Sequence, residues 1–190
     1  MNNHNILVIS MVSTMWLMEP NLRFNFPNNH TSFILYWPEC NCQCFYCDLN
    51  KAFINCIPYD SNTLELSLPF IDCITVSGGE PLLVPKDVFE FQKIAKEHNK
   101  AFYVYTNGYG TDIINKLLKS YNKTKIVIDI KGNNVETVQE ITKINENLST
   151  QIYKTYEKFK ECDNVIFRIN DLFNVNDFKN FKNIEIYKLQ

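Results

Sequence analysis

The feature that most constrains the fold of this chain is an alternation between short apolar segments and longer segments with helical periodicity. The apolar segments are rich in β-branched and aromatic residues, which is typical of buried strands. Strand–helix–strand order predicts a parallel sheet with right-handed crossovers, and therefore an α/β fold. The six predicted strands span residues 32–37, 71–76, 101–106, 124–130, 164–169 and 184–189.

Helices are predicted between these strands. Residues 84–99 and 111–122 carry apolar side chains at helical spacing, and Thr111 is a candidate N-cap for the second of these helices. From 134 to 163 the apolar positions recur every three or four residues, which predicts one helix followed by a second. Residues 48–69 carry no pattern that predicts an element.

Composition and charge narrow the classes of function. Hydrophobic residues make up 45% of the 190 positions, which is ordinary for a globular protein of one domain. The formal net charge is −2 and no long basic run is present, so we expect no nucleic-acid partner.

The apolar segment at residues 5–18 is the unusual part of the N-terminus. It is too short to span a bilayer and has no signal-peptide features, so we expect no membrane association and a cytoplasmic location. Two explanations are open for this segment. Either translation starts at a methionine within it, or the segment forms a strand or helix that packs on the domain. We therefore divide the chain into an N-terminal segment, residues 1–31, and a core domain, residues 32–190.

Four of the seven cysteines fall within eight positions, directly after the first predicted strand: Cys40, Cys42, Cys44 and Cys47. An odd number of cysteines without a signal peptide favours metal binding over a disulfide framework. A zinc ion is one candidate, although its ligands usually come from two separated segments. An iron–sulfur cluster is larger and accepts thiolates from one loop. The C-x3-C-x2-C spacing of Cys40, Cys44 and Cys47 would leave one iron open to a substrate or cofactor.

Three further motifs follow the next three predicted strands. These are SGGEP at 77–81, TNG at 106–108 and DIKG at 129–132. Taken singly, each has an ordinary explanation as a glycine turn or an ion pair at a strand end. In a parallel sheet, however, ligands collect at the carboxyl ends of the strands, so all four motifs should lie at one edge.

The cysteine spacing, with an aromatic residue before the third cysteine, resembles the cluster loop C-x3-C-x-Φ-C of radical S-adenosylmethionine (radical SAM) enzymes. The resemblance implies a partial (β/α)6 barrel with a [4Fe-4S] cluster held by Cys40, Cys44 and Cys47. It also implies that the backbone around Tyr46 lies against the adenine of S-adenosylmethionine. The family does not require Cys42, which we expect to point away from the site.

The same resemblance extends to the glycine-containing motifs. Gly78, Gly79 and Glu80 match the family's GGE motif, which binds the amino group of the methionine moiety. Glycine lets the backbone approach a ligand closely, and a carboxylate suits an ammonium group. Thr106 and Asn107 match the TNG stretch of the small activating enzymes and are expected to reach the ribose or carboxylate of the cofactor.

Charged residues on the last strands complete the predicted site. Asp129 and Lys131 resemble the D-x-K motif of the same activating enzymes and would share a strand face toward the amino-acid portion of the cofactor. Arg168 lies among apolar residues of a predicted strand, so it needs a partner. That partner is either a cofactor carboxylate or an internal acidic residue. Lys131 and Arg168 are the predicted catalytic residues.

The function that the resemblance implies is reductive cleavage of S-adenosylmethionine to a 5′-deoxyadenosyl radical, which then abstracts hydrogen. The expected partner is a glycyl-radical enzyme, of the anaerobic ribonucleotide reductase or pyruvate formate-lyase type, and the electron donor a flavodoxin or ferredoxin. Such a cluster is labile to oxygen, so an anaerobic or reducing cytoplasm is expected. The alternatives are a small-molecule enzyme resembling 7-carboxy-7-deazaguanine synthase and a non-enzymatic iron–sulfur or zinc-binding protein.

Overall fold

The computed structural model describes residues 7–12, 30–47 and 57–188. One sheet of eight strands, in the order β3-β1-β2-β4-β5-β6-β7-β8, runs through this part of the chain. The strands are β1 Leu7–Val12, β2 Ser32–Trp37, β3 Ile57–Pro58, β4 Cys73–Gly78, β5 Ala101–Thr106, β6 Thr124–Asp129, β7 Val165–Asn170 and β8 Ile184–Tyr187.

Helices connect the strands. The α-helices are α1 Ser61–Ser67, α2 Pro85–Glu97, α3 Thr111–Ser120, α4 Val135–Thr142 and α5 Glu146–Phe159, and short 3-10 helices cover Leu68–Phe70, Pro81–Leu83 and Val175–Phe178. None of these described helices is long and apolar enough to cross a bilayer.

The six strands that the sequence predicts form the parallel part of the sheet, which confirms the α/β fold class. Neighbours from β2 to β4 and onward through β8 pair in parallel. The second predicted strand begins two residues later than expected and continues through Ser77 and Gly78. The cause is β2, which is long enough to pair its last residue, Trp37, with Gly78.

Two details differ from the sequence-based expectations. The N-cap of α3 is Gly110, with a φ of 75°, and Thr111 is already the first helical residue. The Thr111 hydroxyl instead hydrogen-bonds the hydroxyl of Thr155 on α5 at 2.5 Å. The unpredicted stretch 48–69 contains α1, whose first turn is capped by the Asp60 carboxylate.

At the N-terminus, β1 pairs antiparallel with β2 and with β3. A strand packed on the domain is one of the two alternatives that the sequence left open for this segment. Of the N-terminal segment 1–31, the structure describes 7–12 and the last two residues, so its boundary with the core domain stays a prediction.

Burial explains why the sequences of the strands are continuously apolar. Alternate residues such as Val76, Val104 and Ile128 are fully buried against the helices. The opposite face of the sheet is also covered, since Tyr103, Tyr105 and Val127 form a second buried cluster there. Strands of a parallel sheet that are buried on both faces need no polar alternation. The polar residues are therefore left for the loops at the strand ends.

Candidate active site

The four motif loops meet at the carboxyl edge of the sheet, as the sequence predicts. The backbone N–H of Glu80, after β4, donates to the carbonyl of Glu39 in the cysteine loop at 2.7 Å. The side-chain amide of Asn107, after β5, donates to Asn41 Oδ1 in the same loop at 2.7 Å. The backbone N–H of Asn107 donates to Glu80 Oε2 at 2.8 Å. Three loops are thus joined directly by hydrogen bonds.

The cysteine loop follows β2 and contains a turn that the Cys47 N–H closes on the Cys44 carbonyl at 3.0 Å. Cys40 and Cys47 are exposed, whereas Cys42 and Cys44 are partly buried. The expectation that Cys42 points away from the site is wrong, because the Asn107 side-chain amide donates to Cys42 Sγ at 3.2 Å. Cys42 also packs against the main core cluster, so burial turns its side chain inward.

The donor chemistry of this loop fits a thiolate-bound metal group. Interaction with the Cys42 thiol lowers the pKa of Cys40 to about 6 and the pKa of Cys44 to about 7, and the charge of Lys131 acts in the same direction. Thiolates are the form in which cysteine binds metal. Among residues 7–12, 30–47 and 57–188, however, no three cysteine, histidine or acidic side chains are grouped closely enough to hold a metal ion, so it is the chemistry of the thiols and not their present placement that suits a metal group.

The two glycines of SGGEP allow β4 to end against the start of the cysteine loop. A Cβ on Gly79 would lie 2.0 Å from the Glu39 carbonyl oxygen, and a Cβ on Gly78 would lie 2.5 Å from the Trp37 carbonyl oxygen. Gly78 also has a φ of 103°, a conformation that favours glycine. In this structure the close approach that the glycines permit is therefore to the chain's own backbone.

Glu80 is fully buried and lies between two of the loops. Its carboxylate accepts the N–H of Leu82 at 3.0 Å and the N–H of Asn107 at 2.8 Å. The Thr106 hydroxyl donates to it at 2.9 Å. Burial raises the pKa of Glu80 to about 8, although these hydrogen bonds act in the opposite direction. Glu80 and Thr106 thus fix the end of β5 to the end of β4.

We expect the stability of the metal-free protein to depend on pH through Glu80. Its folded pKa of about 8 lies above the ordinary value of 4.5, so the folded state holds a proton that the unfolded state releases. The resulting stabilisation is complete below about pH 4.5 and is lost as pH rises toward 8. Thermal unfolding of Glu80→Gln, measured from pH 5 to pH 8.5 beside the wild type, should show a flatter pH dependence.

The Glu80→Gln protein should also be less stable than the wild type at low pH. Both carboxylate oxygens accept a backbone N–H, and the glutamine NH2 group must face one of these donors. Glu97→Gln, the same substitution at an exposed position of α2, is a control that leaves the motif loops unchanged. Parallel pH curves for wild type and Glu80→Gln would contradict the assignment of this titration to Glu80.

Asp129 and Lys131 form a partly buried ion pair beside the cysteine loop. Strand β6 ends at Asp129, so Lys131 lies beyond the strand and not on its face, but Lys131 Nζ still reaches Asp129 Oδ2 at 2.6 Å. Nζ also lies 5.2 Å from the centroid of the Tyr46 ring. Burial alone would raise the pKa of Asp129, yet the charges of Lys131 and Arg168 outweigh it and lower that pKa.

Two buried polar atoms near this ion pair have no hydrogen-bond partner in the described part of the chain. They are Asp129 Oδ1 and the Tyr46 hydroxyl. Buried polar groups are normally paired, so unpaired ones are places where a ligand can supply the missing bond. Together with the acidic thiols, these atoms make the residues present suitable for a polar cofactor next to a metal cluster.

Arg168 lies on β7 directly opposite Asp129 of β6. It is only 5% exposed, and its guanidinium lies 4.4 Å from the Tyr187 ring and 5.5 Å from the Tyr105 ring. The described residues offer it aromatic faces and the charge of Asp129. Of the two partners that the sequence leaves open for Arg168, an internal acidic residue is present, because the charges of Arg168 and Asp129 interact.

Sequence reasoning missed one residue that contacts two of the motif loops. The hydroxyl of Tyr156, on α5, lies between the TNG and DIKG loops and bonds to the backbone of each. In the sequence Tyr156 is one more aromatic residue at an apolar helical position. Nothing in that pattern distinguishes a tyrosine whose hydroxyl has partners from one that only fills the core.

Comparison with known proteins supports the same fold. No protein-family model matches the chain. A protein of Methanocaldococcus jannaschii, provisionally described as a glycyl-radical enzyme activating enzyme, is 25% identical over 173 residues, which cover 84% of this chain and 72% of that protein.

Three solved structures share the fold. Streptococcus suis SuiB bound to S-adenosylmethionine has a TM-score of 0.59 at 15% identity over 83% of this chain and 40% of its own. The enzyme anSMEcpe with bound AdoMet and a peptide has a TM-score of 0.53 at 18% identity, covering 79% and 48%. TYW1 with a lysine-pyruvate adduct has a TM-score of 0.60 at 14% identity, covering 84% and 65%.

This chain therefore spans between 40% and 65% of the length of those three structures. At these identities the solved structures establish the fold, which is the partial barrel of radical SAM enzymes. With the curated relative, they confirm the resemblance to that superfamily indicated by the four motifs.

Proposed function

We propose that this chain is a radical SAM enzyme that binds a [4Fe-4S] cluster through Cys40, Cys44 and Cys47 and cleaves S-adenosylmethionine. The observation that carries the proposal is the direct bonding of the loops. Asn107 bonds the cysteine loop through its side chain and Glu80 through its backbone. Residues that are distant in sequence but typical of one cofactor site are thus held together. The similar structures include two enzymes solved with S-adenosylmethionine bound.

One-electron reduction of S-adenosylmethionine at such a cluster yields methionine and a 5′-deoxyadenosyl radical that abstracts a hydrogen atom. The chain's own residues bind and orient the cofactor. Lys131 and Asp129 would offer opposite charges to its carboxylate and ammonium groups, and Asp129 Oδ1 has no hydrogen-bond partner among the described residues. The backbone at Tyr46 would hold the adenine, and the Lys131 charge above the Tyr46 ring orients that side of the site.

Glu80 has a second role in this proposal. Its oxygens already hold the ends of β4 and β5 together, and an ammonium placed beside it would favour the ionised form of the carboxyl. Gly78 and Gly79 keep that edge close to the cysteine loop. Thr106 acts through Glu80, because its hydroxyl is bonded to the carboxylate. Arg168, which lies opposite Asp129 on β7, would offer its positive charge to a substrate or cofactor carboxylate.

The proposed substrate is a glycyl-radical enzyme, and the proposed electron donor is a flavodoxin or ferredoxin in a reducing cytoplasm. The description of the Methanocaldococcus jannaschii relative supports the choice of partner. A loop presented by a partner protein would close the open side of a partial barrel with its own surface. A small metabolite would instead need a pocket that buries most of it.

The test of the partner is anaerobic. The reconstituted and reduced protein is mixed with S-adenosylmethionine and an anaerobic ribonucleotide reductase or a pyruvate formate-lyase. A stable glycyl doublet in the electron paramagnetic resonance spectrum of the partner is the expected result. If 6-carboxytetrahydropterin stimulates cofactor cleavage and neither glycyl-radical enzyme gains a doublet, the small-molecule alternative replaces the activating role.

A further inference from the structure

The hydroxyl of Tyr156 connects two of the loops that form the candidate active site. Tyr156 belongs to α5 and is fully buried. Its Oη donates to the carbonyl of Asn107 at 3.0 Å and accepts the backbone N–H of Lys131 at 3.2 Å. One donor and one acceptor position of the hydroxyl are therefore used, each by a different motif loop.

Each of the two bonded residues also contacts the cysteine loop. Asn107 reaches the cysteine loop at Asn41 Oδ1 and Cys42 Sγ. Lys131 reaches Asp129 and lies over the Tyr46 ring. A displacement of the Asn107 backbone would therefore disturb Glu80 and the cysteine loop, and a displacement of Lys131 would disturb Asp129 and the cysteine loop. The Tyr156 hydroxyl bonds to the backbone of both residues that make these contacts.

The surrounding packing holds the Tyr156 ring in one place. Gly108 has a φ of 97°, and a Cβ on it would lie 2.7 Å from Tyr156 Cε1. Helix α5 is tied to α3 by the hydroxyls of Thr155 and Thr111. The ring thus occupies the space that the glycine of TNG leaves open, which gives this glycine a packing role besides its turn conformation.

The crossover between β6 and β7 also contacts the cysteine loop. The backbone N–H of Gln43 donates to the carbonyl of Thr142, the last residue of α4, at 2.8 Å. Helices α4 and α5 together therefore contact three of the four motif loops. Both contacts use backbone groups of the loops, so they constrain loop position without occupying the side chains that face a ligand.

We infer that Tyr156 is a positioning residue, which sets the relative placement of the TNG and DIKG loops for binding S-adenosylmethionine. It does not touch the cofactor in this account and acts through Asn107 and Lys131. The inference rests on the proposed function for its binding readout. It also makes a claim about the protein without cofactor, since the Lys131 N–H loses its only described acceptor when the hydroxyl is removed.

The variant Tyr156→Phe keeps the ring and removes the hydroxyl. In the metal-free protein, hydrogen exchange at the Lys131 amide should become about tenfold faster, because a buried N–H has lost its acceptor. In the reconstituted protein, calorimetry should show a Kd for S-adenosylmethionine about tenfold higher. The iron content should equal that of the wild type, because the cysteine ligands are unchanged.

The matched control is Tyr153→Phe on the same helix, where the ring stacks edge-on with Tyr156 at 6.2 Å but the hydroxyl contacts neither loop. It should change neither quantity. Gly108→Ala, which pushes on the Tyr156 ring from the other side, should raise the Kd as Tyr156→Phe does. Wild-type exchange at Lys131 together with a wild-type Kd in Tyr156→Phe would overturn the inference. If the wild type binds no cofactor, the proposed function fails, and the exchange comparison still decides whether the Tyr156 hydroxyl fixes the position of the DIKG loop.

Discussion

Replacing Cys40, Cys44 or Cys47 singly with alanine is expected to abolish iron binding almost completely. Each substitution removes one of three thiolates that the cluster needs from this loop, and a cluster with two protein ligands is not retained. After anaerobic reconstitution, the wild type should carry about four irons per chain, and each variant should carry less than about a tenth of that. Iron analysis, visible absorption and electron paramagnetic resonance of the reduced protein measure the effect.

The control is Cys42→Ala, in the same loop and only two residues from two of the predicted ligands. Cys42 Sγ is partly buried and accepts the Asn107 side-chain amide, so its loss should weaken this contact and leave most of the iron bound. Loss of iron in Cys42→Ala with retention in Cys47→Ala would show that the ligand set is Cys40, Cys42 and Cys44. Four zinc-bound thiolates and no iron in the wild type would contradict the cluster altogether.

Gly79→Ala is expected to disrupt the site as strongly as the loss of a ligand. The added Cβ would lie 2.0 Å from the Glu39 carbonyl oxygen and 3.1 Å from the Cys40 backbone nitrogen, so the start of the cysteine loop must move. Both neighbours are backbone atoms and cannot rotate away as a side chain would. We expect iron content to fall by about tenfold, since the ligands must be placed within a few tenths of an ångström. The thermal unfolding temperature should also fall.

Gly110→Ala is the matched substitution outside the site. Its Cβ would meet the end of the Ile113 side chain, which can move, and the positive φ of 75° adds backbone strain. That strain costs about 1–2 kcal/mol, so this variant should also unfold at a lower temperature. It should keep its iron, because Gly110 is the N-cap of α3 and its backbone bonds are to Ile113 and Ile114 and not to the cysteine loop. If both variants lost equal amounts of iron, the iron loss in Gly79→Ala would be due to general destabilisation and not to displacement of the cysteine loop.

The strands could be predicted from sequence because a sheet buried on both faces leaves long apolar runs. The runs at 101–106 and 32–37 match β5 and β2 at both ends. Boundaries set by a neighbouring strand could not be predicted: β4 extends through Gly78 because β2 offers it a partner in register. The N-cap of α3 was missed for a similar reason, since the Thr111 hydroxyl has a partner on α5.

The candidate site was predictable in its location and composition but not in its contacts. Motif spacing after parallel strands predicts that the loops share one edge, and the structure brings them together there. The inward position of Cys42 and the contacts of Tyr156 depend on how distant segments pack, and no local pattern encodes that. Glu80 could be recognised as a site residue, but its bonds to β5 could not be inferred from the motif alone.

The most direct test of the central claim is formation of 5′-deoxyadenosine by the reconstituted protein. The protein is incubated anaerobically with S-adenosylmethionine and dithionite, and 5′-deoxyadenosine and methionine are quantified by liquid chromatography and mass spectrometry. We predict equal amounts of the two products from the wild type and none from Cys44→Ala. A wild type that carries its iron and binds S-adenosylmethionine but forms no 5′-deoxyadenosine, or equal formation by Cys44→Ala, would contradict the account.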